Sequence, residues 1–339
     1  MLFLILLLGV SCCNRPKPSV KEIEYVNDLF ITDSIDIESL GILNPYNISY
    51  HNDMLVFKSK GKNGLQVLDL RDYKTYSINI IGEGPDEVSM FSIVKNNHSS
   101  LLHFTDPNTR KILAFNVDTL RLDADAKPYF WMKMPIDKNE VIFNSFENQS
   151  FFFFSGHIDN GRFLNYNKKT GESIASGTFP ENEQTESLDW KRKGSVFNGT
   201  VLTGNDTHVA VCCNGLLNFY EIMPEGSLKE INHRYYYFPT FYLNNGNGAV
   251  ITFSNEDIVG FRDIASEGDN VYMLYSDKTV KKNGEGAFNC ESIIVYDWQG
   301  NAKCEYRLEK SLYSFALDGK RVYGICREDN PKVYIYQLP

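Results

Sequence analysis

From about residue 40 onward the chain is written in short apolar runs separated by clusters of Gly, Asn, Asp and Lys, with no long stretch that carries a helical period. That pattern predicts an all-β protein. The runs recur as a unit: an apolar run, a polar turn, a second apolar run ending in an aromatic residue or Asp, and another turn. Six such units can be placed. Their second strands begin at Met54, Leu101, Phe151, His208, Asn270 and Arg321, and their third strands at Leu65, Lys111, Arg162, Leu216, Ser292 and Lys332. The repeat is roughly fifty residues, close to the four-strand blade of a β-propeller.

A ring explains the apolar pattern better than a sandwich does. Sandwich strands alternate apolar and polar because one face meets water, whereas Phe151 to Phe154 and Val271 to Tyr275 do not alternate. A propeller blade packs between two neighbours, so its middle strands are buried on both faces. Blades also diverge from the axis and leave wedges that large side chains fill, which accounts for 23 Phe and 20 Tyr as packing. After Ser311 only three strands remain, so the last blade is one short. The segment Glu22 to Ile37, with the strand-like runs EIEYV and LFITDSIDI, is expected to supply the missing outer strand and close the ring against an exposed edge.

The N-terminus alters the picture of where this ring resides. Leu2 to Val10 is an apolar run ending in Ser11, Cys12 and Cys13. At ~1.5 Å per residue it covers about half of a ~30 Å hydrocarbon core, too short to span and suited to a signal-peptide core. Small residues followed by Cys resemble the lipobox at which bacterial lipoproteins are cleaved and acylated. Ser11 favours Cys12 as the lipidated residue, with Cys13 the alternative. Residues 1–11 are then a signal peptide, 12–21 a Pro-containing tether and 22–339 the propeller. The formal charge of −9 repels phosphates, which argues against nucleic acid as a partner.

The later cysteines, Cys212, Cys213, Cys290, Cys304 and Cys326, are odd in number and show no CxxC, so no zinc pattern arises. Cys212 and Cys213 read as small core hydrophobes, while pairing of Cys290 with Cys304 stays open. The six histidines never fall at HxH or HxxxH spacing, and Asp123 and Asp125 lack the further ligands of a calcium loop. No metal and no cofactor is expected. The five Asn-x-Ser/Thr sequons read as chance.

Three stretches carry a family resemblance: GEGPDEVSMF (82–91), GFRDIASEGDNVYMLYSDK (260–278) and IIVYDWQGNAKCEYRLEKSLYSFAL (293–317). They resemble the TolB-like six-bladed propeller lipoproteins, with a wider likeness to NHL-type propellers. Val88 stands where that family has an aromatic, and Phe91 is expected to take its packing role. The resemblance implies fold and an envelope location and leaves activity open.

GEGPDE falls between the last strand of one unit and the first of the next. It reads as a tight turn: Gly82 and Gly84 at φ values closed to other residues, Pro85 fixing its neighbour, and Glu87 accepting backbone N–H bonds. It lacks the Lys-Ser/Thr of a phosphate loop. A binding rim is expected in the long connection from Tyr235 to Asp257, carrying Tyr235, Tyr236, Tyr242, Asn244 and Asn245, unless that connection is a plain inserted hairpin. No catalytic residue is assigned, although Asp106, Asp263 and Glu87 lie beside strand ends where glycosidase-like carboxylates could gather. The leading expectation is a monomeric, non-enzymatic lipoprotein of a Gram-negative outer membrane that binds a protein, peptide or glycan. The alternative is a glycan-directed hydrolase or lyase with carboxylates at the axis. Three or more carboxylates, or a His and carboxylate cluster, at one channel mouth would favour the alternative.

Overall fold

The computed structural model describes residues 23, 25–60, 64–84, 86–96, 99–243, 251–326 and 331–339. Six sheets follow one another along the chain as blades: 45–79, 92–133, 141–176, 201–235, 258–312 and 314–337. The six predicted second strands are all present, from Met54–Ser59 through Phe151–His157 to Arg321–Cys326. Each lies antiparallel to its neighbours, in second place from the axis.

The continuous apolar runs are explained by the seams between blades. Successive side chains on a strand point to opposite faces, so Phe152 and Phe154 pack against Val94, Ile112 and Met134 in the seam of blades two and three. Phe151 and Phe153 turn the other way, onto Leu202, Val211 and Tyr220 of blade four. One such cluster fills each of the six seams. The sixth joins Ala316, Tyr323, Ile325 and Val333 of the last blade to Ile48, Leu55, Phe57 and Leu68 of the first.

Closure follows the strand arithmetic. Ile31–Asp36 runs antiparallel along Lys332–Gln337 and completes blade six, burying Ile35 and Ile37. The first part of the segment differs from expectation. Val26–Leu29 does not reach the last strand but lies parallel on Ala302–Leu312, adding a fifth strand to blade five. The reason is edge protection, since the 11-residue outer strand of blade five would otherwise present unpaired amides to water.

Two insertions break the ring's regularity. A short helix, Trp190–Val196, begins at Asp189, whose carboxylate accepts from the Arg192 N–H at 2.9 Å. A hairpin pairs Phe241–Leu243 with Ile251–Phe253. Leu188, Val196, Phe197 and Phe241 from these insertions pack on Cys213 and Leu216 of blade four.

Candidate functional site: the central channel

The six inner strands, Pro45–His51, Ser92–Ile93, Val141–Glu147, Val201–Gly204, Ile258–Glu267 and Ser314–Asp318, stand side by side around a cavity of about 300 Å³. That volume lies at the lower bound of small-molecule sites. All run in one direction, so one mouth is built from strand starts and the other from strand ends. Lys95 and Phe146 mark the register with a parallel bridge between blades two and three.

Among the described residues a single ion pair crosses the axis. Blade five stands opposite blade two, and Lys95 spans the distance to donate to Asp263 Oδ1 and, at 2.9 Å, to the Ile264 carbonyl. The other carboxylate oxygen accepts from Ser314 Oγ at 2.6 Å and from the Phe315 N–H at 3.3 Å, and the Ile264 N–H reaches Oδ1 at 2.9 Å. Both oxygens of this buried carboxylate are therefore committed. Asp263 is the one sequence-nominated carboxylate that reaches the channel, and it serves there as a brace.

The mouth of strand starts has a different character. Lys58, paired across from Asn47, donates to the Phe91 carbonyl and stands 4.4 Å from the Phe91 ring and 5.7 Å from that of Tyr46. Burial lowers its pKa to about 8, and no carboxylate offsets that burial. Arg262 stacks 4.9 Å from the Phe288 ring, and its buried Nε has no hydrogen-bond partner. Tyr46, beside Lys58, and Tyr313 line the same cavity, and burial together with Tyr313 raises the Tyr46 phenol. Asn47, Ser92 and Asn144 add amides and a hydroxyl.

The opposite mouth holds His51, Asn96 and Glu267. The His51 Nδ1 lies 2.9 Å from the Ser99 carbonyl and Nε2 lies 3.0 Å from Ser49 Oγ. A carbonyl only accepts, so Nδ1 carries the hydrogen and the ring serves as a structural tie. Among the described residues two carboxylates, Asp263 and Glu267, line the channel, and they do not converge. Among the described residues no group of three or more His, Cys, Asp and Glu side chains could hold a metal ion.

The other nominated carboxylates are turn and seam residues. Asp106 accepts from the Ser89 N–H at 2.8 Å, the Asn108 N–H at 2.9 Å and Thr109 Oγ1 at 2.7 Å; burial pushes its pKa up, but these donors outweigh it and hold the group low. A buried cluster that sequence reading passed over clamps blades two and three. Glu147 meets His103 Nδ1 at 2.7 Å and Lys168 Nζ at 3.2 Å, while His103 packs against Trp131 and Phe152. Burial raises the Glu147 carboxyl, and its hydrogen bond to His103 leads the contacts that bring it below the usual range.

In the GEGPDE turn, Glu87 accepts the Gly84 N–H at 2.8 Å, and Lys111 donates to the Gly84 and Glu87 carbonyls at 2.9 and 3.1 Å. Val88 and Phe91 are both buried in the seam of blades one and two, Phe91 edge-on to Phe104. The expected φ values are corrected: neither Gly82 nor Gly84 is left-handed. Space explains the glycines instead. A Cβ on Gly82 would stand 2.0 Å from Glu87 Oε2, and one on Gly84 would stand 3.1 Å away. Gly82→Ala is thus expected to displace an exposed, flexible carboxylate at a cost of ~1 kcal/mol. Thermal melts should show the same loss for Glu87→Ala, and no further loss when the two changes are combined; additive losses would contradict this account. Pro85 lies outside the described residues.

The three nominated tyrosines sit in different surroundings. Tyr235 ends the outer strand of blade four, where its hydroxyl accepts from Asn218 at 2.8 Å and its ring stacks on His233. Tyr236 bonds Tyr296 through the two hydroxyls at 3.1 Å and packs on Phe261 in the seam of blades four and five. Gly260, at φ +77°, is required there because a Cβ would meet the Tyr237 hydroxyl at 2.1 Å. Tyr242 is exposed on the inserted hairpin, away from the channel lining, and Asn244 and Asn245 lie outside the described residues. Cys12 and Cys13 do as well. Cys290 and Cys304 are free thiols on adjacent strands and out of register, Cys290 facing Leu312 and Cys304 facing Val295.

The channel residues Tyr46, Lys58, Lys95, Arg262 and Tyr313 went unnominated in the sequence. Their one signal is position, in or beside the short strand that opens each unit, where a charge interrupts an apolar run as in SIVKN and GFRDI.

Comparison with known proteins agrees with the ring. No curated protein sequence matches the chain. Among solved structures, a luciferin-regenerating enzyme is similar at TM-score 0.50 and 11% identity, over 90% of this chain and 95% of that one. The WD40 repeats of RRP9 are similar at TM-score 0.50 and 9% identity, over 87% and 80%. At such identities the likeness is one of fold alone. A family model described as TolB-like 6-blade propeller-like matches residues 27–320, which takes in all three stretches that carried the resemblance. With six blades, the closing N-terminal strand and that match over most of its length, the chain belongs to the TolB-like six-blade propeller family.

Proposed function

We propose that this chain is a non-enzymatic binding propeller of the Gram-negative envelope, anchored to the outer membrane by a lipid on Cys12, that takes a protein, peptide or glycan at the mouth of strand starts. The observation that carries the reading is the contrast within the channel. The central acid is fully engaged by Lys95, Ser314 and backbone amides, whereas the mouth presents tyrosines, amides and two cations that form no ion pair among the described residues. The alternative, a hydrolase or lyase working through carboxylates at the axis, needs those carboxylates free to move protons. Asp263 is not free in that sense, which weighs against the catalytic alternative.

Native pull-down from detergent-solubilised membranes tests the reading. Wild-type protein is expected to recover a partner or glycan that Tyr46→Ala/Tyr313→Ala protein does not; equal recovery would place binding elsewhere. The same membranes test the anchor. Cys12→Ala protein should be lost from the membrane fraction or remain uncleaved, since several acyl chains at ~0.8 kcal/mol per buried CH₂ hold the native form. Loss on Cys13→Ala but not on Cys12→Ala would move the lipid to Cys13.

A further inference from the structure

The protein carries a formal charge of −9, yet one mouth of its channel gathers positive charge without compensation. Five charged side chains line the cavity: Lys58, Lys95, Arg262, Asp263 and Glu267. Lys95 and Asp263 neutralise each other across the axis, and Glu267 ends the inner strand of blade five at the far mouth. What remains at the mouth of strand starts is Lys58 and Arg262. Both are partly buried, and a cation withdrawn from water without a counter-charge costs stability, so a chain selected only for folding has little reason to keep two of them on one cavity.

We propose that this mouth is a binding site for an acidic saccharide, a sugar bearing a carboxylate or sulfate, with Lys58 and Arg262 as the two cations that receive the acidic group. The proposal rests on the binding reading above and names the ligand class for the same site. Three features favour a sugar as the bearer of the charge. Tyr46 and Tyr313 offer ring faces and hydroxyls together, the amides of Asn47 and Asn144 and the hydroxyls of Ser92 and Ser145 offer both donors and acceptors, and the cavity of about 300 Å³ suits a small ligand or the end of a chain. The unpartnered Arg262 Nε supplies a donor that an anion would satisfy.

Protonation follows from the same geometry. The titratable and charged groups around the cavity mouth are Tyr46 on the strand beside Lys58, Tyr313 at the start of the neighbouring blade six, Arg262 from blade five beyond it, and the Lys95–Asp263 pair across the axis. Because burial lowers Lys58 to about 8, the unliganded site loses one of its two charges as pH rises through 8. Affinity for an anion is therefore expected to fall between about pH 7 and 9, where an ordinary lysine would remain charged.

Isothermal titration of the mature protein with digalacturonate, a sulfated disaccharide, the neutral disaccharide cellobiose and inorganic sulfate decides the matter. The expected result is binding of digalacturonate or the sulfated disaccharide, the better of the two naming the acid. That binding should weaken by roughly tenfold to a hundredfold in Lys58→Met and in Arg262→Gln, and should also weaken with added salt. Thermal melts accompany each variant, so that lost binding is read only where the fold is intact. Cellobiose bound as tightly as the acidic sugars, with Tyr46→Ala sensitivity and no effect of Lys58→Met or Arg262→Gln, would overturn the acidic assignment and leave a binding mouth. Binding of inorganic sulfate alone, with none of the sugars, would overturn the saccharide. If neither acidic sugars nor cellobiose bind, and the pull-down is also insensitive to Tyr46→Ala/Tyr313→Ala, the binding reading fails with it.

Discussion

Removing residues 26–37 should abolish the stable fold, because these twelve or so residues close the ring. Val26–Leu29 pairs with Glu305 to Leu308, and Ile31–Asp36 pairs with Lys332 to Tyr336. The deletion strips Leu29, Ile35 and Ile37 out of the interior, each 6% exposed or less. At about 1.5–3 kcal/mol per buried aliphatic side chain, the apolar loss alone is comparable with the ~5–15 kcal/mol that separates a domain from its unfolded state. Two strand edges would also be laid open, which invites pairing between chains. Urea unfolding and size-exclusion chromatography should find an aggregating or non-cooperative protein, whereas removal of residues 12–19 should leave the midpoint where it was. A monomer with an unchanged midpoint after loss of 26–37 would mean that closure does not depend on this segment.

Replacing Lys95 by Met should be the most damaging single substitution in the channel. Asp263 is 5% exposed overall and retains its hydrogen bonds to Ser314 and the Phe315 amide, but it would lose its only ionic partner among the described residues. Removing one member of a buried pair costs about 3–5 kcal/mol, since the remaining charge is left in a medium that solvates it poorly. Lys95→Met/Asp263→Asn should recover much of that loss because no charge is stranded, giving a large coupling energy in a double-mutant cycle by urea unfolding. A loss below about 1 kcal/mol for Lys95→Met, or additivity of the two changes, would show that the bridge does not hold blades two and five together.

The apolar runs at Phe151, Val271 and their counterparts, the turns between them and the three-strand remnant after Ser311 were enough to predict six blades and an N-terminal closing strand. That information is local. Strand period, turn residues and the burial of both faces are written into consecutive residues, and strand counting needs no coordinates. The fate of Val26–Leu29 was not local, because its choice of blade five depends on which outer edge lies nearest once the ring has formed. The GEGPDE turn shows the same division. Its glycines marked a turn, but only the placement of the Glu87 carboxylate against Gly82 revealed that they make room and not that they bend left-handed.

The site lay almost wholly on the tertiary side. Lys95 and Asp263 are 168 residues apart in sequence and meet because blades two and five face each other across the axis. Lys58 and Arg262 line one cavity because the inner strands of a closed ring all run one way, and the end of the antiparallel second strand that carries Lys58 returns beside the start of its inner strand. Conversely, Tyr235 and Tyr236 looked like a rim in the sequence because tyrosines cluster there, and the fold spends them on Asn218 and Tyr296. By itself, then, the sequence determined the repeating strand, its two buried faces and the number of blades, all set by the alternation of neighbouring side chains. Which charges meet, which cancel and which are left facing the channel was decided only when ring closure brought residues from different blades within a few ångströms of one another.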